Sequence, residues 1–118
     1  RYRSANPYLA IARLVAPGEW TTFDDIYLVV HGDLRHGREV LRASVDLPDF
    51  PAHRVLPPGG QVPRAWRSYE TKTPDPGECV RLLASEGVPV DLDGRASRAH
   101  YISWDLLVER AADVGRLG

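Results

Sequence analysis

The segment that most constrains the fold contains two helix signals separated by a short polar turn. It reads "TTFDDIYLVVHGDLRHGREVLRAS" and ends at residue 44. Thr22 is suited to cap the first helix, Asp25 stands three residues later as in a capping box, and Gly32 is suited to end the helix. The turn "GDLRHG" then leads to a second helix at about residues 36–44. Helix, short glycine-containing turn and helix form the helix-turn-helix pattern, in which the second helix is the recognition helix.

Further helices are predicted on both sides of this pair. Residues 8–15, "YLAIARLV", place apolar groups on one helical face. Asn6 is suited to cap that helix, and Pro7 fits its first turn. Later in the chain, Pro76 is expected to begin the helix "GECVRLLASE" and Gly87 to end it.

The rest of the chain is predicted to be loop, hairpin and a last helix. Residues 46–76 are rich in Pro and Gly, which indicates an ordered loop. The stretch "VPVDLDGRASRAHYISW" predicts two short strands around the turn pair Asp93–Gly94, and a last helix is expected at about 105–114. A hairpin beside a helix-turn-helix makes a wing. The predicted fold is therefore mainly α with a small β-hairpin wing, a winged helix-turn-helix.

The composition is that of one globular domain spanning residues 1–118. It is 43% hydrophobic and 26% charged. The single cysteine, Cys79, excludes an internal disulfide framework and a cysteine-cluster zinc site, and we expect neither a metal nor a cofactor. No apolar run reaches membrane-spanning length, so no membrane partner is expected. Methionine is absent, even at position 1, which indicates either a domain cut from a longer protein or a processed start.

The overall charge is close to neutral, but the positive charges cluster. The net charge is −1 and the pI is about 6.5, which argues against a strongly basic nucleic-acid binder. Lys72 is the only lysine. A single stretch of twenty residues contains Arg35, Arg38, Arg42 and Arg54, and Arg64 and Arg67 follow soon after it. This clustering allows a basic face within a neutral total. The choice of arginine either serves bidentate contacts to phosphates and base edges or reflects a GC-rich genome.

Residues 51–56, "PAHRVL", look like a catalytic loop that lacks a reactive side chain at its central position. His53 and Arg54 stand side by side after a proline, but the residue before the histidine is Ala52. An alanine cannot act as a nucleophile, an acid, a base or a metal ligand. The loop therefore needs a role other than chemistry at that position.

Taken together, the motifs resemble the carboxy-terminal domain of alkylguanine-DNA alkyltransferases. That domain has a "Thr-Thr-Tyr"-like helix start, a helix-turn-helix with an arginine, then "PCHRV", then "LLxxEG". The counterparts here are "TTFDDI", "GREVLRA", "PAHRV" and "RLLASEG", in the same order and over about residues 7–88. Each motif is weak alone, but four in the right order at similar spacing are a specific signal.

The departure from that family is Ala52, which stands where the enzymes hold their acceptor cysteine. Transfer of an alkyl group needs a thiolate, so the resemblance implies a chain with no catalysis of its own. Alkyltransferase-like proteins also lack this cysteine. Similarity to them implies that the domain flips an alkylated or otherwise modified base and holds it unchanged, as a sensor of damage or modification.

The resemblance also implies roles for individual residues. Arg38 matches the arginine that enters the duplex and fills the gap left by the flipped base. Phe23 matches a tyrosine that crowds the phosphate of the target nucleotide, or is a core aromatic. His53 and Glu86 match the proton relay of the enzymes, which without a thiol is left as a structural pair. Arg54 either braces the loop or contacts DNA.

The expected sites are as follows. The expected DNA-binding residues are Phe23, Arg35, Arg38, Arg42 and Arg54. The expected base pocket is formed by Pro51, Ala52, His53, Val55, Trp66 and Tyr69. Trp66 and Tyr69 either stack on the flipped base or anchor their loop on the core. Trp20 and Trp104 are assigned to the core, and Cys79 is interpreted as a small buried hydrophobe.

The leading hypothesis is thus a non-catalytic protein that binds double-stranded DNA containing a modified base. One alternative is the modified-base reader of a modification-dependent restriction nuclease, with a fused or recruited nuclease or repair protein as partner. Another is a winged-helix module for protein contacts, which the near-neutral charge permits. In a prokaryote, the expected location is the cytoplasm, in association with the nucleoid.

Overall fold

The computed structural model describes residues 6–117. Within this part of the chain there are five α-helices and two short strands. The helices are α1 (Pro7–Ala12), α2 (Phe23–His31), α3 (Arg38–Asp46), α4 (Pro76–Ser85) and α5 (Trp104–Leu117), and the strands are β1 (Thr21–Thr22) and β2 (Val55–Leu56). Short 3-10 turns lie at Ala52–Arg54 and Arg98–His100. None of the described helices is long and apolar enough to cross a membrane.

Side-chain caps set the starts of α1 and α2 where the sequence predicts them. The Asn6 side chain accepts hydrogen bonds from the backbone N–H groups of Tyr8 and Leu9. The Thr22 hydroxyl accepts one from the N–H of Asp25, at 3.0 Å. Gly32 ends α2 in the left-handed region, at φ 78°, which glycine adopts without the steric cost that a Cβ brings. Both predicted caps of α2 are therefore confirmed.

The ends of the other helices differ from the predictions by a few residues. α1 stops at Ala12, short of residue 15, and α3 runs from Arg38 to Asp46. α4 begins at Pro76 as predicted, with the Asp75 side chain accepting from the N–H of Glu78. α5 continues to Leu117, beyond the predicted end near 114.

The strand pairing differs from the predicted hairpin. β1 and β2 pair in parallel, with Thr21 opposite Val55 and Thr22 opposite Leu56, and neither strand was expected from the sequence. The predicted strands around Asp93–Gly94 are reduced to an isolated antiparallel bridge between Val90 and Ala96. Gln61 of the central loop forms a second antiparallel bridge there, with Arg95. Backbone pairing with a distant loop thus replaces part of the pairing within the hairpin.

The helices and strands enclose one apolar core. α2 packs against α1, α3 and α5, and α4 packs against the turn at Ala52–Arg54. The largest fully buried side chains include Trp20, Ile26, Leu56, Leu83 and Leu107. The radius of gyration is 13.5 Å, and a compact chain of this length is expected at about 13.5 Å. The structure is therefore a compact, mainly helical domain with a small parallel sheet.

The three tryptophans are not all in this core. Trp20 is buried, as predicted, and Trp66 is buried as well. Trp104, which was also assigned to the core, is 45% exposed, so that assignment is wrong. Its position explains the difference, because Trp104 begins α5 and Leu107 supplies the buried contact of that first turn.

A hydrogen-bonded group of side chains ties α1, α2 and α3 together. The Tyr8 hydroxyl donates to Oε1 of Glu39 at 2.7 Å. It also lies 2.7 Å from Nε2 of His31, from which it accepts a hydrogen bond, because its own proton is given to Glu39. The first turn of α3, which carries Arg38, is thereby anchored to the end of α2.

Candidate functional site

An apolar pocket of about 280 Å³ lies between α3, the Ala52 turn and the loop that follows β2. Ala52, Val55 and Trp66 line it, as expected for the base pocket, and Phe23 at the start of α2 completes the wall. The remaining lining residues are Leu41, Ser44, Val45, Pro63, Ala65 and Arg67. The pocket is at the low end of ligand-site volumes, which begin at roughly 300 Å³. Such a space suits one planar ring system with a small substituent.

Few polar groups in this pocket are free to bind a ligand. The Ser44 hydroxyl donates to the carbonyl of Leu41 at 2.6 Å. The Trp66 indole N–H donates to the carbonyl of Ala52 through a long hydrogen bond of 3.4 Å. The pocket wall is therefore mainly apolar, and Arg67 is the one charged side chain among the residues that line it.

Arginines border this pocket on its α3 side. Arg38, Arg42 and Arg67 line an adjoining open groove together with Asp46, and the groove shares Leu41, Val45 and Arg67 with the pocket wall. Arg38 and Arg42 are one turn apart on the exposed face of α3. Among the described residues, neither of the two forms a hydrogen bond or an ion pair. Their guanidinium groups are therefore available for an external anion.

Two other expected DNA-binding residues lie at different places. Arg35 is in the turn before α3, with 78% of its side chain exposed and only a distant carboxylate, that of Asp33 at 3.9 Å. The Arg54 side chain is 17% exposed and points into the protein. Its Nη1 donates to the carbonyl of Val15 at 3.1 Å.

Arg54 and His53 share a carboxylate partner. Arg54 donates to both oxygens of Glu86, from Nε at 3.0 Å and from Nη2 at 2.6 Å. His53 Nε2 lies 3.0 Å from Oε2 of the same carboxylate. Burial opposes the ionised form of Glu86, but hydrogen bonds from Arg54 and then from His53 outweigh it and lower the pKa of Glu86 to about 2. The three residues thus connect the Ala52 turn to the end of α4.

The other residues expected in the base pocket lie outside its lining. Pro51 precedes the Ala52 turn, and His53 is directed toward Glu86. Tyr69 is exposed, and the Lys72 ammonium lies 4.0 Å from the centre of its ring. The expected set of six residues therefore contributes three side chains to the lining of this pocket.

The sequence prediction missed the contribution of α3 to the pocket wall. Leu41, Ser44 and Val45 lie on one face of that helix, and Leu41 is 44% exposed. Their spacing of three and four residues marks a common helix face. Leu41 and Val45, each three residues after an arginine of α3, are thus the signal that would have indicated this wall.

Cys79 has the environment predicted for a small buried hydrophobe. It is fully buried in α4, and its Sγ lies 4.0 Å from the carbonyl oxygen of His53. Burial raises the pKa of the Cys79 thiol to about 12. Since the thiolate is the nucleophilic form, this environment gives a poor nucleophile.

No protein-family model matches the chain, and no curated protein matches it significantly. The resemblance to alkyltransferases therefore stays a prediction from the motifs.

Proposed function

We propose that this chain is a non-catalytic DNA-binding domain that flips a modified base and holds it in the apolar pocket. The observation that carries the proposal is the placement of that pocket beside the arginines of α3. Under this proposal α2, the turn and α3 act as a helix-turn-helix, and the loop around Asp93–Gly94 stands in the place of a wing. Double-stranded DNA is the proposed partner.

The chemistry of the pocket favours a base whose polar edge is masked. An unmodified base gives up its Watson–Crick hydrogen bonds when it leaves the duplex. The pocket offers few hydrogen bonds to replace the lost ones, because Ser44 and Trp66 already donate their hydrogens to carbonyl groups of the protein. An alkyl group on the base edge reduces the number of hydrogen bonds that the base loses on leaving the duplex. It also adds apolar surface that the pocket can bury. We therefore propose an alkylated base as the ligand, with Ala52 leaving space for the substituent.

The groove beside the pocket supplies the groups that hold the duplex open. Flipping costs a few kcal/mol of unstacking, and a side chain must fill the vacated position. Arg38 has the required length, lies at the start of α3 and borders the groove next to the pocket. Arg42 and Arg67 line the same groove, and under this proposal they contact phosphates.

The chain has no cysteine in the position that would accept an alkyl group, which supports a role in holding the base rather than in transferring its alkyl group. Ala52 occupies the position of the acceptor cysteine in the motif, and it is buried in the pocket wall. Cys79 is buried with its pKa raised to about 12. His53 and Arg54 are both engaged with Glu86, which gives this trio a structural role in fixing the pocket wall.

The test compares duplexes that differ in a single base at constant salt. Binding is measured for an O6-alkylated guanine, a polar modified base such as 5-hydroxymethylcytosine, and the unmodified parent. We expect the alkylated duplex to bind most tightly and Arg38→Ala to weaken that binding by about 1–3 kcal/mol. A fluorescent base analogue at the target position should lose its unstacking signal in the same variant.

The control is Arg64→Ala, which removes an exposed arginine that lies outside the groove. This variant should lose less binding free energy than Arg38→Ala, and the loss should be equal for modified and plain duplexes. Tightest binding to the polar modified base would favour the reader of a modification-dependent nuclease instead. If the chain binds none of the duplexes, a protein-interaction module becomes the better hypothesis. A gain in the mass of the protein after incubation with the alkylated duplex would instead support alkyl transfer to the chain.

A further inference from the structure

A second surface, formed by the outer face of α5, carries two parallel rows of side chains. Trp104, Val108 and Ala112 are exposed and recur every four residues, so they form one apolar ridge. Asp105 and Glu109 are also exposed and form an acidic row beside it. The ridge covers the nine residues 104–112, whose eight steps rise roughly 12 Å along the helix axis. Of the three tryptophans, Trp104 is the one with a large exposed fraction, 45%.

A cavity of about 400 Å³ opens beside the first residue of this ridge. Trp104 forms part of its wall, together with Leu28 of α2 and Leu34 of the turn that follows. Leu34 is 58% exposed, so its side chain offers further apolar surface at the rim. The apolar ridge therefore ends at a recess whose wall is partly apolar and partly charged, and a recess of this kind can receive an inserted side chain.

The charges around this surface are unsuitable for DNA. Asp24 and Asp25 both line the cavity, and Asp105 and Glu109 border the ridge. Phosphates would be repelled by these carboxylates, and Arg98 is the only basic residue in the cavity wall. Buried Asp25 already accepts hydrogen bonds from the Tyr101 hydroxyl and the Trp104 N–H. A partner for this surface must therefore be positively charged around an apolar centre.

The arginine-bordered groove and this acidic surface are separate. The base pocket includes Phe23 in its wall, the cavity includes the next residue, Asp24, and the two spaces share no lining residue. The two spaces are therefore formed by different side chains.

We propose that the outer face of α5 and the adjoining cavity bind a basic amphipathic helix of a partner protein. A straight ridge with a period of four residues packs into the groove between the side-chain rows of another helix. Lysines or arginines beside the apolar stripe of that helix pair with Asp105 and Glu109. A large apolar side chain enters the cavity between Trp104 and Leu34. This proposal does not depend on the function of the base pocket.

The experiment uses two synthetic peptides of about 18 residues, long enough for a helix to form on binding. Both carry leucines at helical spacing, with lysines flanking the stripe in one peptide and glutamates in the other. Titration into the full chain is followed by calorimetry and by tryptophan fluorescence. We expect the basic peptide to bind at least about tenfold more tightly than the acidic one. A saturating DNA duplex should leave that binding unchanged.

Variants then locate the binding surface. Val108→Glu and Glu109→Lys should each weaken binding of the basic peptide by about tenfold or more. Val114→Glu is the matched control, because Val114 is 56% exposed on the same helix but lies away from the ridge. Circular dichroism checks that each variant is folded. Equal binding of the two peptides, or equal effects of Val108→Glu and Val114→Glu, would overturn the proposal. A dimer of the chain that Val108→Glu dissociates would assign the surface to a second copy.

Discussion

Replacing Glu86 by glutamine tests whether the His53–Arg54–Glu86 trio has a structural role. The substitution keeps the shape of the side chain and removes its charge. Arg54 then loses its carboxylate partner, although its side chain is only 17% exposed. Removing one partner of a largely buried ion pair typically costs about 3–5 kcal/mol, because the other charge is left uncompensated. We expect a loss of this order in the free energy of unfolding at neutral pH.

The pKa of Glu86 predicts how this loss depends on pH. The pKa is lowered to about 2 in the folded chain, against an ordinary value of 4.5. A lowered pKa stabilises the fold fully above the ordinary value, and the stabilisation is lost as pH falls from about 4.5 toward 2. With about 1.4 kcal/mol for each unit of pKa, Glu86 contributes up to about 3 kcal/mol. The difference in unfolding free energy between the native chain and Glu86→Gln should therefore shrink across this interval.

The assay is urea denaturation of both proteins at a series of pH values from 7 down to the acid limit of the native fold. Glu70→Gln is the control, since Glu70 is exposed and makes no hydrogen bond or ion pair within residues 6–117. This control should change the unfolding free energy by less than about 0.5 kcal/mol. A loss for Glu86→Gln no larger than that of the control would refute the structural role. So would a difference that stays constant between pH 5 and the acid limit.

Three further results are expected. Cys79 should react with a thiol reagent only under unfolding conditions, because it is fully buried and its pKa is raised to about 12; labelling of the native chain on the same time scale would contradict this. Gly60→Ala should destabilise the fold by about 2 kcal/mol or more, because a Cβ there would overlap the buried ring of Trp20. Gly59→Ala is the control, because a Cβ at that position meets open space and adds only the strain of the positive φ, about 1 kcal/mol. Thermal denaturation measures both losses. DNA affinity should fall by roughly tenfold or more between low and physiological salt, and a flat response would mean that the arginines of α3 do not face DNA.

Local sequence signals were enough to predict the starts of α1, α2 and α4 and the end of α2, but not the ends of α1, α3 and α5. The Asn6 and Thr22 caps, Pro76 at the start of α4 and Gly32 at the end of α2 all act within one turn of the residue concerned. Such effects depend on the backbone groups of near neighbours, so they can be predicted without knowledge of the fold. The burial of Cys79 was predictable for a similar reason, from its apolar neighbours in α4.

The contacts between segments that are distant in the chain depend on tertiary packing and could not be predicted from local signals. The parallel pairing of Thr21–Thr22 with Val55–Leu56 joins residues far apart in the chain, and strands this short carry no periodic signal. The direction of Arg54 depends on Glu86, thirty-two residues later. The exposure of Trp104 depends on which face of α5 the core covers. The apolar pocket likewise exists only because α3, the Ala52 turn and the loop around Trp66 pack together, and no local pattern fixes a volume enclosed by three separate segments.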